Sequence, residues 1–346
     1  MYLGVDIHKA FCQTTVMDGD GGIVERAKVP TDPEHLEAFF QRFAGSEAVI
    51  ESNTVWEFVY EKLRSLGIET VLAVPAQVKA IAKAKKKTDK VDSAMLAHLL
   101  RTGMIPEAWV GSRDVRDLRK DVRARQGLRA ISTSLKNQVY AELIRRGILY
   151  KDGFLGTLKG RVWARETLGA DRRVLAQLDL LDAVEKEIKA YNQELLLPKF
   201  EESSTAQLLA TIPGVGYYTA LTVVAFVGDV TRFPDSSSLV SYAGLAPSIA
   251  QSATVTRLGP ITKAGPHQLR WVLQEAFQMH TRHCPSREEC ALCKFYRRIV
   301  RRRGKQVAMT AAAAKLLRVM FWMMKMNQPY RPQGMQPRGF TEGEPR

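Results

Sequence analysis

Residues 2–29, YLGVDIHKAFCQTTVMDGDGGIVERAKV, decide the fold of the N-terminal part of the chain. Tyr2–Ile7 is a short apolar run, and two further runs, Phe11–Met17 and 23–29, flank the turn Asp18-Gly-Asp-Gly-Gly22. Apolar and β-branched runs on either side of a turn rich in glycine and aspartate are typical of a β-hairpin. The sequence therefore predicts three leading strands, the last two of which form a hairpin.

Helical and strand patterns alternate after this hairpin. The predicted elements are a helix at 31–42, a strand at 48–50, a helix at 55–66 and a strand at 70–74. Three strands with a hairpin, followed by alternating helices and strands, is the order of a ribonuclease-H-like α/β domain. We assign this domain to residues 1–105.

Two longer periodic segments follow. Apolar residues recur at mostly three- and four-residue steps from 113 to 146 and again from 174 to 195, which predicts two amphipathic helices. Each helix has one apolar stripe and is otherwise polar, so we expect a coiled-coil hairpin at 106–200 that pairs with a second subunit. Residues 201–326 are predicted to be mainly helical, and the Pro/Gly-rich segment 327–346 to be disordered.

The chain is basic, with 51 Lys and Arg against 36 Asp and Glu and a net charge of +15. Such an excess favours a polyanionic partner, because every phosphate contact releases counterions. The longest apolar stretch, 308–326, is interrupted by three charged residues, and no signal peptide is recognisable. Four cysteines do not make a disulfide framework in a chain of this length. We therefore expect a cytoplasmic protein that does not contact membranes.

Four carboxylates are placed where an α/β domain forms polar sites. Asp6 ends the first strand, Glu51 ends the fourth, and Asp89 and Asp92 are three residues apart at the start of a helix. That spacing puts Asp89 and Asp92 on one helix face, about 5–6 Å apart at Cβ. Four acids converging at strand ends and a helix start would repel one another unless cations lay among them. We expect two Mg²⁺ ions there, which would activate a nucleophile and stabilise a leaving oxygen in phosphoryl transfer.

Other interpretations of these acids are open. Asp89 and Asp92 are also suited to capping a helix. Asp6 would fit a phosphate loop of the actin-like or sugar-kinase type, but that loop needs Gly and Thr after the Asp, and Ile7-His8-Lys9 follow here. Five lysines crowd the helix start and are suited to holding a phosphate backbone over the metals, namely Lys83, Lys85, Lys86, Lys87 and Lys90.

Three segments carry a resemblance to a known family: Gly4-Val-Asp-Ile-His-Lys9, Ile50-Glu51-Ser52 and Lys87-Thr-Asp-Lys-Val-Asp-Ser-Ala-Met-Leu-Ala97. They resemble the DEDD transposases of the insertion-sequence 110 family, relatives of the Piv and MooV invertases. In that family four acids form a RuvC-like metal site, which maps onto Asp6, Glu51, Asp89 and Asp92. The resemblance also implies a bacterial or archaeal protein associated with the nucleoid.

The motif Thr211-Ile-Pro-Gly-Val-Gly216, followed by Thr219-Ala-Leu, resembles a helix-hairpin-helix loop. Its glycines allow a close backbone approach, and the free N–H groups of the next helix would face phosphate. An ordinary turn between two helices is the alternative interpretation.

The order of motifs after residue 233 is similar to the second domain of the same family. Leu239-Val-Ser-Tyr-Ala-Gly-Leu-Ala-Pro247 is followed by Gln251-Ser252 and by Ile261-Thr-Lys-Ala-Gly265. Family members carry a serine here that acts as a nucleophile on DNA, and it maps onto Ser252. A serine hydroxyl needs deprotonation or metal activation to attack. Because the four acids lie in another domain, we expect domains or subunits to meet for the reaction. The competing candidates are Ser248, Thr254 and Thr256.

Five potential zinc ligands fall within fourteen residues: His280, His283, Cys284, Cys290 and Cys293. Cys290-x-x-Cys293 has the spacing of a zinc-ligand pair, but a second close pair of thiols is missing. Reduced cysteines are therefore favoured over a structural zinc at Cys284, Cys290 and Cys293.

A run of basic residues follows on a predicted helix and its exit loop. It consists of Arg297, Arg298, Arg301, Arg302, Arg303 and Lys305. A solvated charged face is one interpretation, but phosphate contact is favoured because few acids lie nearby.

The resemblance implies an RNA-guided DNA recombinase, the transposase of an insertion sequence. It would cut and rejoin double-stranded DNA, at the element ends and the target, through the Mg²⁺ site and a covalent Ser252–DNA intermediate. Its implied partners are a structured guide RNA and further copies of the chain, in a dimer or tetramer. Two rival functions are a RuvC-like structure-specific nuclease in which water attacks, and a non-catalytic DNA-binding protein.

Overall fold

The computed structural model describes the backbone of residues 1–81, 89–151, 153–169, 171–252 and 255–333. The side chains of residues 82–91 and 249–258 lie outside the described part of the chain. The chain divides into two compact units, Met1–Val110 and Gly111–Arg346.

A six-stranded mixed sheet forms the centre of the N-terminal unit. Its strands are β1 (Tyr2–Ile7), β2 (Phe11–Met17), β3 (Ile23–Pro30), β4 (Glu47–Glu51), β5 (Glu69–Ala73) and β6 (Glu107–Ala108). They lie in the order β3-β2-β1-β4-β5-β6. β2 is antiparallel to β1 and β3, β4 and β5 run parallel to β1, and β6 is antiparallel to β5. The carboxyl ends of β1, β4 and β5 therefore meet at one end of the sheet.

Helices cover both faces of this sheet: α1 (Pro33–Phe40), α2 (Trp56–Ser65), α3 (Pro75–Ile81) and α4 (Asp89–Arg101). On one face, Leu3, Val5 and Ile7 are buried against apolar residues of α1 and α2. On the other face, Val49 and Ala73 pack against α3 and α4. Because successive residues of a strand point to opposite faces, Gly4 and Asp6 share the α4 face with Val49.

The boundaries of these elements follow from local chemistry. The helix predicted at 31–42 begins at Pro33, because the side chain of Asp32 accepts a hydrogen bond from the backbone N–H of His35 at 3.0 Å. Proline fits the first helical position, where its missing N–H costs nothing. The helix ends at Phe40 and passes into a 3-10 turn at Gln41–Phe43. The predicted mixed α/β character of this part of the chain is confirmed.

The C-terminal unit is mainly helical, as predicted. Its helices are α5 (Arg113–Arg145), α6 (Leu158–Leu168), α7 (Arg172–Tyr191), α8 (Leu197–Glu202), α9 (Ser204–Ala210), α10 (Tyr217–Val227), α11 (Ser236–Tyr242), α12 (His267–His283), α13 (Ala291–Arg303) and α14 (Lys305–Met326).

Two apolar cores hold this unit together. In the first, Leu135, Val139 and Leu143 of α5 pack against buried residues of α7. In the second, α10, α12 and α14 pack together around Phe226 and Phe277. Helix α14 has the length and composition to cross a membrane, but 56% of its most apolar 18-residue segment is buried inside the protein. Its apolar surface therefore serves the second core.

A partly buried carboxylate network also joins α5 to α7. Glu185 of α7 accepts a hydrogen bond from Ser132 Oγ at 2.6 Å and lies 3.1 Å from both Lys136 Nζ and a guanidinium nitrogen of Arg129. Burial raises the pKa of Glu185, but the hydrogen bonds from Ser132 and Lys136 and the charge of Arg129 outweigh it. The pKa of Glu185 therefore lies below its ordinary value, and the carboxylate stays ionised at neutral pH.

Three features of this unit differ from the sequence prediction. A two-stranded antiparallel sheet, β7 (Pro247–Ser252) and β8 (Val255–Ile261), lies within the region that the sequence predicts to be mainly helical. The helix predicted from the periodicity at 174–195 continues through a π-helical turn at Asn192–Leu196 into α8, because Pro198 is tolerated in the first turn of that helix. Tyr330, in the predicted disordered tail, donates its backbone N–H to Thr211 Oγ1 at 3.0 Å. Residues 334–346 of that tail lie outside the described residues.

Candidate active site

Asp6 and Glu51 lie at neighbouring positions on two parallel strands. Val5 of β1 pairs with Ile50 of β4, so the next residues along these strands are Asp6 and Glu51. Val5 and Ile50 belong to the core under α1 and α2, and strand alternation therefore puts both acids on the opposite face, which α4 covers. Both side chains are partly buried, and that of Asp6 is 17% exposed.

Helix α4 contacts the sheet directly at Gly4. A Cβ atom on Gly4 would lie 1.9 Å from the carbonyl oxygen of Ser93 and 2.5 Å from the backbone nitrogen of Ala97, so that only glycine fits. The hydroxyls of Ser93 and Thr15, on α4 and β2, are 2.9 Å apart and buried. The second and third turns of α4 are thereby fixed against β1 and β2.

The direction of α4 brings its first turn towards the acids. Arg101, at the end of the helix, donates to the carbonyl of Gly19 in the β2–β3 turn, and that turn lies at the start of β1, where Tyr2 pairs with Met17. The helix therefore begins at the opposite end of β1, where Asp6 is found. Its positive N-terminal dipole favours negative charge at this place.

Asp92 lies on the stripe of α4 that faces β4. It precedes Leu96 and Leu99 by four and seven residues, and these leucines pack against Val49. Val49 and Glu51 share a face of β4. Asp6, Glu51 and Asp92 are thus brought to one end and one face of the sheet. Asp89 is the first residue of the helix and its side chain lies outside the described residues, as do those of the lysines between 83 and 90.

Two polar residues beside the acids were not singled out from the sequence. His8 Nε2 lies 3.3 Å from a carboxylate oxygen of Asp6. Asn53 donates from Nδ2 to the carbonyl of Ile7 at 2.6 Å and accepts the backbone N–H of Val55 at 2.8 Å, so it joins the loop after β4 to the end of β1. The spacing of His8 two residues after Asp6 could have indicated a shared face. Nothing local predicts the contact of Asn53.

These partly buried carboxylate oxygens form the donor set that Mg²⁺ and Mn²⁺ prefer. A hard cation would relieve the repulsion between acids held on neighbouring strands. The arrangement is also compatible with holding a phosphate, since a cation among the acids would attract the phosphate oxygens.

Ser252, the second predicted reactive residue, lies at the last position of β7, where it pairs with Val255 of β8. Its side chain and that of Thr256 lie outside the described residues, and Thr254 is likewise not described. The competing Ser248 is half-buried in the same strand, and a Cβ on Gly259 would meet its Oγ at 2.3 Å. Ser248 thus packs closely against the partner strand.

The turn after β8 is braced by Arg270. One nitrogen of its guanidinium donates to the carbonyls of Ala243 and Gly265, at 3.1 and 2.7 Å. Lys263, within this turn, adopts a left-handed conformation with a φ of 55°. Arg270 therefore holds the Lys-x-Gly turn in shape by bonding to the backbone, and Lys263 is left as the exposed cation of this element.

The Thr211–Gly216 motif forms a tight turn between α9 and α10. Gly214 has a φ of +90°, and a Cβ there would lie 2.4 Å from the backbone nitrogen of His280, so the turn packs directly on α12. Gly216 is exposed at the N-cap of α10, so no side chain there covers the N–H groups of the first turn. Gly214 thus allows a close approach within the protein, and Gly216 leaves the start of α10 uncovered.

Helix α13 presents a basic surface. Leu292 and Cys293 face the core, and the arginines at the end of the helix are exposed. This basic surface consists of Arg297, Arg298, Arg301, Arg302, Arg303 and Lys305. In the described parts of the chain none of these cations forms an ion pair with a carboxylate. Their charge is therefore available to a polyanion.

The His/Cys segment folds into a compact cluster. His280, Cys284, Cys290 and Cys293 are all buried, with ligand atoms within 4.8 Å of one another. His283, by contrast, is exposed. The spacing of the residues alone predicts only the Cys290–Cys293 pair, because His280 and Cys284 are brought in by the end of α12.

Comparison with known proteins finds two transposase domains in this chain. Residues 3–145 match the DEDD transposases of the IS110 group, and residues 206–291 match the transposase IS116/IS110/IS902 family. The first match contains the sheet with Asp6, Glu51 and Asp92. The second contains the turn at 211–216, the β7–β8 hairpin and most of the His/Cys cluster.

Three relatives illustrate the extent of the similarity. A transposase of Sinorhizobium fredii, y4qE, is 29% identical over 63% of this chain, which spans about half (54%) of that relative's length. The transposase for insertion sequence element IS1111A of Coxiella burnetii is 26% identical over 95% of this chain and 91% of its own length. The pilin gene-inverting protein of Moraxella lacunata is 32% identical over 36% of this chain and 38% of its own. The chain therefore carries, in this order, two transposase domains of the IS110 family, a family of enzymes, and related transposases align along nearly its whole length.

Proposed function

We propose that the protein is an insertion-sequence transposase that cuts and rejoins double-stranded DNA through divalent metal ions held by Asp6, Glu51, Asp89 and Asp92. One observation carries this proposal. Asp6 and Glu51 lie side by side on parallel strands, on the face that α4 covers, and Asp92 lies in the first turn of that helix. The strand order β3-β2-β1-β4-β5 supports a ribonuclease-H-like, RuvC-like fold for this domain.

Each acid has a distinct place in the proposed site. Asp6 and Glu51 would provide oxygens from the sheet, and Asp89 and Asp92 would provide them from the helix start. Two Mg²⁺ ions bound there would supply Lewis-acid stabilisation of the charge that develops on phosphate oxygens. His8, at 3.3 Å from Asp6, would hold that carboxylate in position.

The cleavage step would use Ser252, and rejoining would reverse it. In cleavage, the Oγ would lose its proton and attack the phosphorus of a DNA strand, so that an Oγ–P bond forms while the P–O bond to the neighbouring nucleotide breaks and the released oxygen takes up a proton. In rejoining, a DNA hydroxyl would lose its proton and attack the same phosphorus, the Oγ–P bond would break and Ser252 would regain a proton. The retained phosphoester conserves the energy needed for rejoining, which hydrolysis would discard. The position of Ser252 at the end of a β-hairpin, followed by the exposed Lys263, supports this role. Ser248, Thr254 and Thr256 are the alternatives.

The helical part would mediate assembly. We propose residues 1–105 as the catalytic domain, 106–200 as a coiled-coil hairpin that pairs copies of the chain, and 201–326 as the domain that carries Ser252. The exposed apolar side chains in the helical region support association, and they include Ile131, Ile144, Leu158 and Leu180. A homo-oligomer would also allow acids and serine of different copies to meet. A structured guide RNA would share the basic surfaces with DNA.

The test of the metal site is strand cleavage. We expect Asp6→Asn to abolish Mg²⁺-dependent cleavage of DNA that carries the element ends, while binding of that DNA changes little because exposed cations supply the affinity. Asp20→Asn is the matched control, since Asp20 lies exposed in the β2–β3 turn of the same domain. Full cleavage by Asp6→Asn would contradict the proposed site and favour a different one. Absence of cleavage by the unaltered protein, with DNA binding intact, would favour a non-catalytic DNA-binding protein.

The test of the serine is a covalent adduct. The unaltered protein should accumulate a protein–DNA species that survives denaturant, Ser252→Ala should lose it, and Ser241→Ala, altered at an exposed serine of α11, should keep it. Efficient cleavage without any adduct would mean that water attacks, as in a structure-specific nuclease. An adduct that persists in Ser252→Ala would move the role to Ser248, Thr254 or Thr256.

A further inference from the structure

We propose that His280, Cys284, Cys290 and Cys293 bind one structural Zn²⁺ ion, which fixes the turn at 211–216 and the start of the basic helix α13 to the end of α12. The sequence favours reduced cysteines at this place. The structure changes that balance, because it supplies four ligands rather than two and encloses them. The inference does not depend on the carboxylate site.

The geometry of the cluster suits a tetrahedral metal. Zinc bonds of about 2.3 Å to sulfur and 2.0–2.1 Å to nitrogen place neighbouring ligand atoms roughly 3.5–3.8 Å apart. His280 Nε2 and Cys290 Sγ are 3.4 Å apart, and all four ligand atoms lie within 4.8 Å of one another. Movements of side chains by less than about 1 Å would complete the tetrahedron. Four protein ligands leave no open position, which is typical of a structural site rather than a catalytic one.

The imidazole of His280 is oriented as a metal ligand. Its Nδ1 lies 2.7 Å from the carbonyl oxygen of Pro213, a contact that requires the proton to be on Nδ1. Nε2 therefore points at the sulfurs. Metal-bound histidines commonly donate their second ring N–H to a backbone carbonyl, which fixes the tautomer and the ring orientation.

The sulfur atoms also have polar neighbours. Tyr330 Oη lies 3.1 Å from Cys290 Sγ. The Tyr330 hydroxyl can donate to this sulfur. Outer hydrogen bonds of this kind support metal-bound ligands and tune their affinity.

The chain contains an ordinary buried cysteine for comparison. Cys12 of β2 lies in the N-terminal core, and its sulfur is 3.5 Å from Thr31 Oγ1. Burial raises the pKa of its thiol to about 11. Cys12 does not belong to the group of ligands that His280 and the other three cysteines form. We therefore use Cys12 as the control.

The proposed zinc would join elements that are distant in sequence. Pro213 and Gly214, in the turn at 211–216, pack on the backbone and ring of His280. Cys290 caps α13, and the next residue, Ala291, donates its backbone N–H to the carbonyl of Pro332 at 2.8 Å. The position of the basic surface of α13 relative to the turn would therefore depend on the metal.

The experiment is metal analysis of the full-length protein, purified with a reductant and without added chelator. We expect about one zinc per chain by inductively coupled plasma mass spectrometry. Cys290→Ser and Cys293→Ser should each lower the zinc content by at least about tenfold. Loss of a residue that only supports a ligand already weakens metal binding by about 10–100-fold, and each of these variants removes a ligand itself. Cys12→Ser should keep it, and Asp6→Asn should keep it too.

A second readout covers variants that fail to fold. Replacement of the metal in the unaltered protein by Co²⁺ should give thiolate-to-cobalt charge-transfer absorption and the visible bands of a tetrahedral site. Zinc below about a tenth of an equivalent together with absence of these bands would overturn the proposal. A disulfide between two of these cysteines in the freshly purified protein, or full zinc retention in both Cys290→Ser and Cys293→Ser, would overturn it equally.

Discussion

Replacement of Gly4 by alanine tests how α4 is held on the sheet. The added Cβ would lie 1.9 Å from the carbonyl oxygen of Ser93, whereas ordinary van der Waals contact begins at 3.4 Å. The obstructing atoms are backbone atoms of α4, which cannot rotate away. The helix would therefore have to move by about 1.5 Å at its first turns, and Asp92 would move with it.

The expected cost is that of an overpacked core. Forcing one methyl group into a close-packed interface costs about 1–3 kcal/mol, and a clash with backbone belongs at the upper end of that range. The buried hydrogen bond between Ser93 and Thr15 would be strained as well, at a cost of about 1 kcal/mol. We therefore expect Gly4→Ala to destabilise the N-terminal unit by about 3 kcal/mol.

The assay is chemical denaturation of the full-length protein, followed by hydrogen exchange of amides in β1 and α4, alongside DNA cleavage. Gly19→Ala is the matched control, because a Cβ on Gly19 would meet nothing within 4 Å. That variant should remain within about 0.5 kcal/mol of the unaltered protein. Unchanged stability and cleavage in Gly4→Ala would refute the close packing of α4 on β1.

Further changes act on the C-terminal unit. Glu185→Gln should destabilise it by about 1–3 kcal/mol near pH 7, because buried donors lose a charged acceptor, while exposed Glu187→Gln should be neutral. Folding lowers the pKa of Glu185. Its contribution to the free energy of unfolding is therefore fully present above the pKa of the unfolded chain and is lost as the pH falls through the pKa of the folded protein. Thermal melts of both variants across acidic pH check this. Arg301→Gln combined with Arg302→Gln should weaken DNA binding and reduce the salt slope of log K by about 1.8, measured by fluorescence anisotropy at several salt concentrations, and should leave the zinc content unchanged.

Much of the fold follows from local patterns. The alternation in β1, with leucine, valine and isoleucine at every second position, predicts which face is buried and hence where Asp6 points. The positions of Asp6 and Glu51 after apolar strand residues are enough to predict that they share one end of a parallel sheet. The register between β1 and β4, which makes Asp6 and Glu51 neighbours, is seen only in the folded sheet.

Other features depend on contacts across the chain. A glycine inside a strand indicates a close approach, but nothing near Gly4 identifies Ser93 as its neighbour. The β7–β8 hairpin is missed because proline, glycine and serine within it are typical of loops. The His/Cys cluster is underestimated because its fourth ligand and its supporting carbonyl come from α12 and from Pro213, 67 residues away from His280.

The most direct test of the carboxylate site is an anomalous-difference map from crystals of the protein with DNA, grown in Mn²⁺. Manganese takes the oxygen ligands of Mg²⁺ and can be located by its own scattering. We predict one or two peaks about 2.1 Å from carboxylate oxygens of Asp6, Glu51 and Asp92, with Asp89 as the remaining ligand. Well-ordered DNA phosphate at this end of the sheet with no peak beside Asp6 or Glu51, or manganese bound only elsewhere, would contradict the proposed metal site.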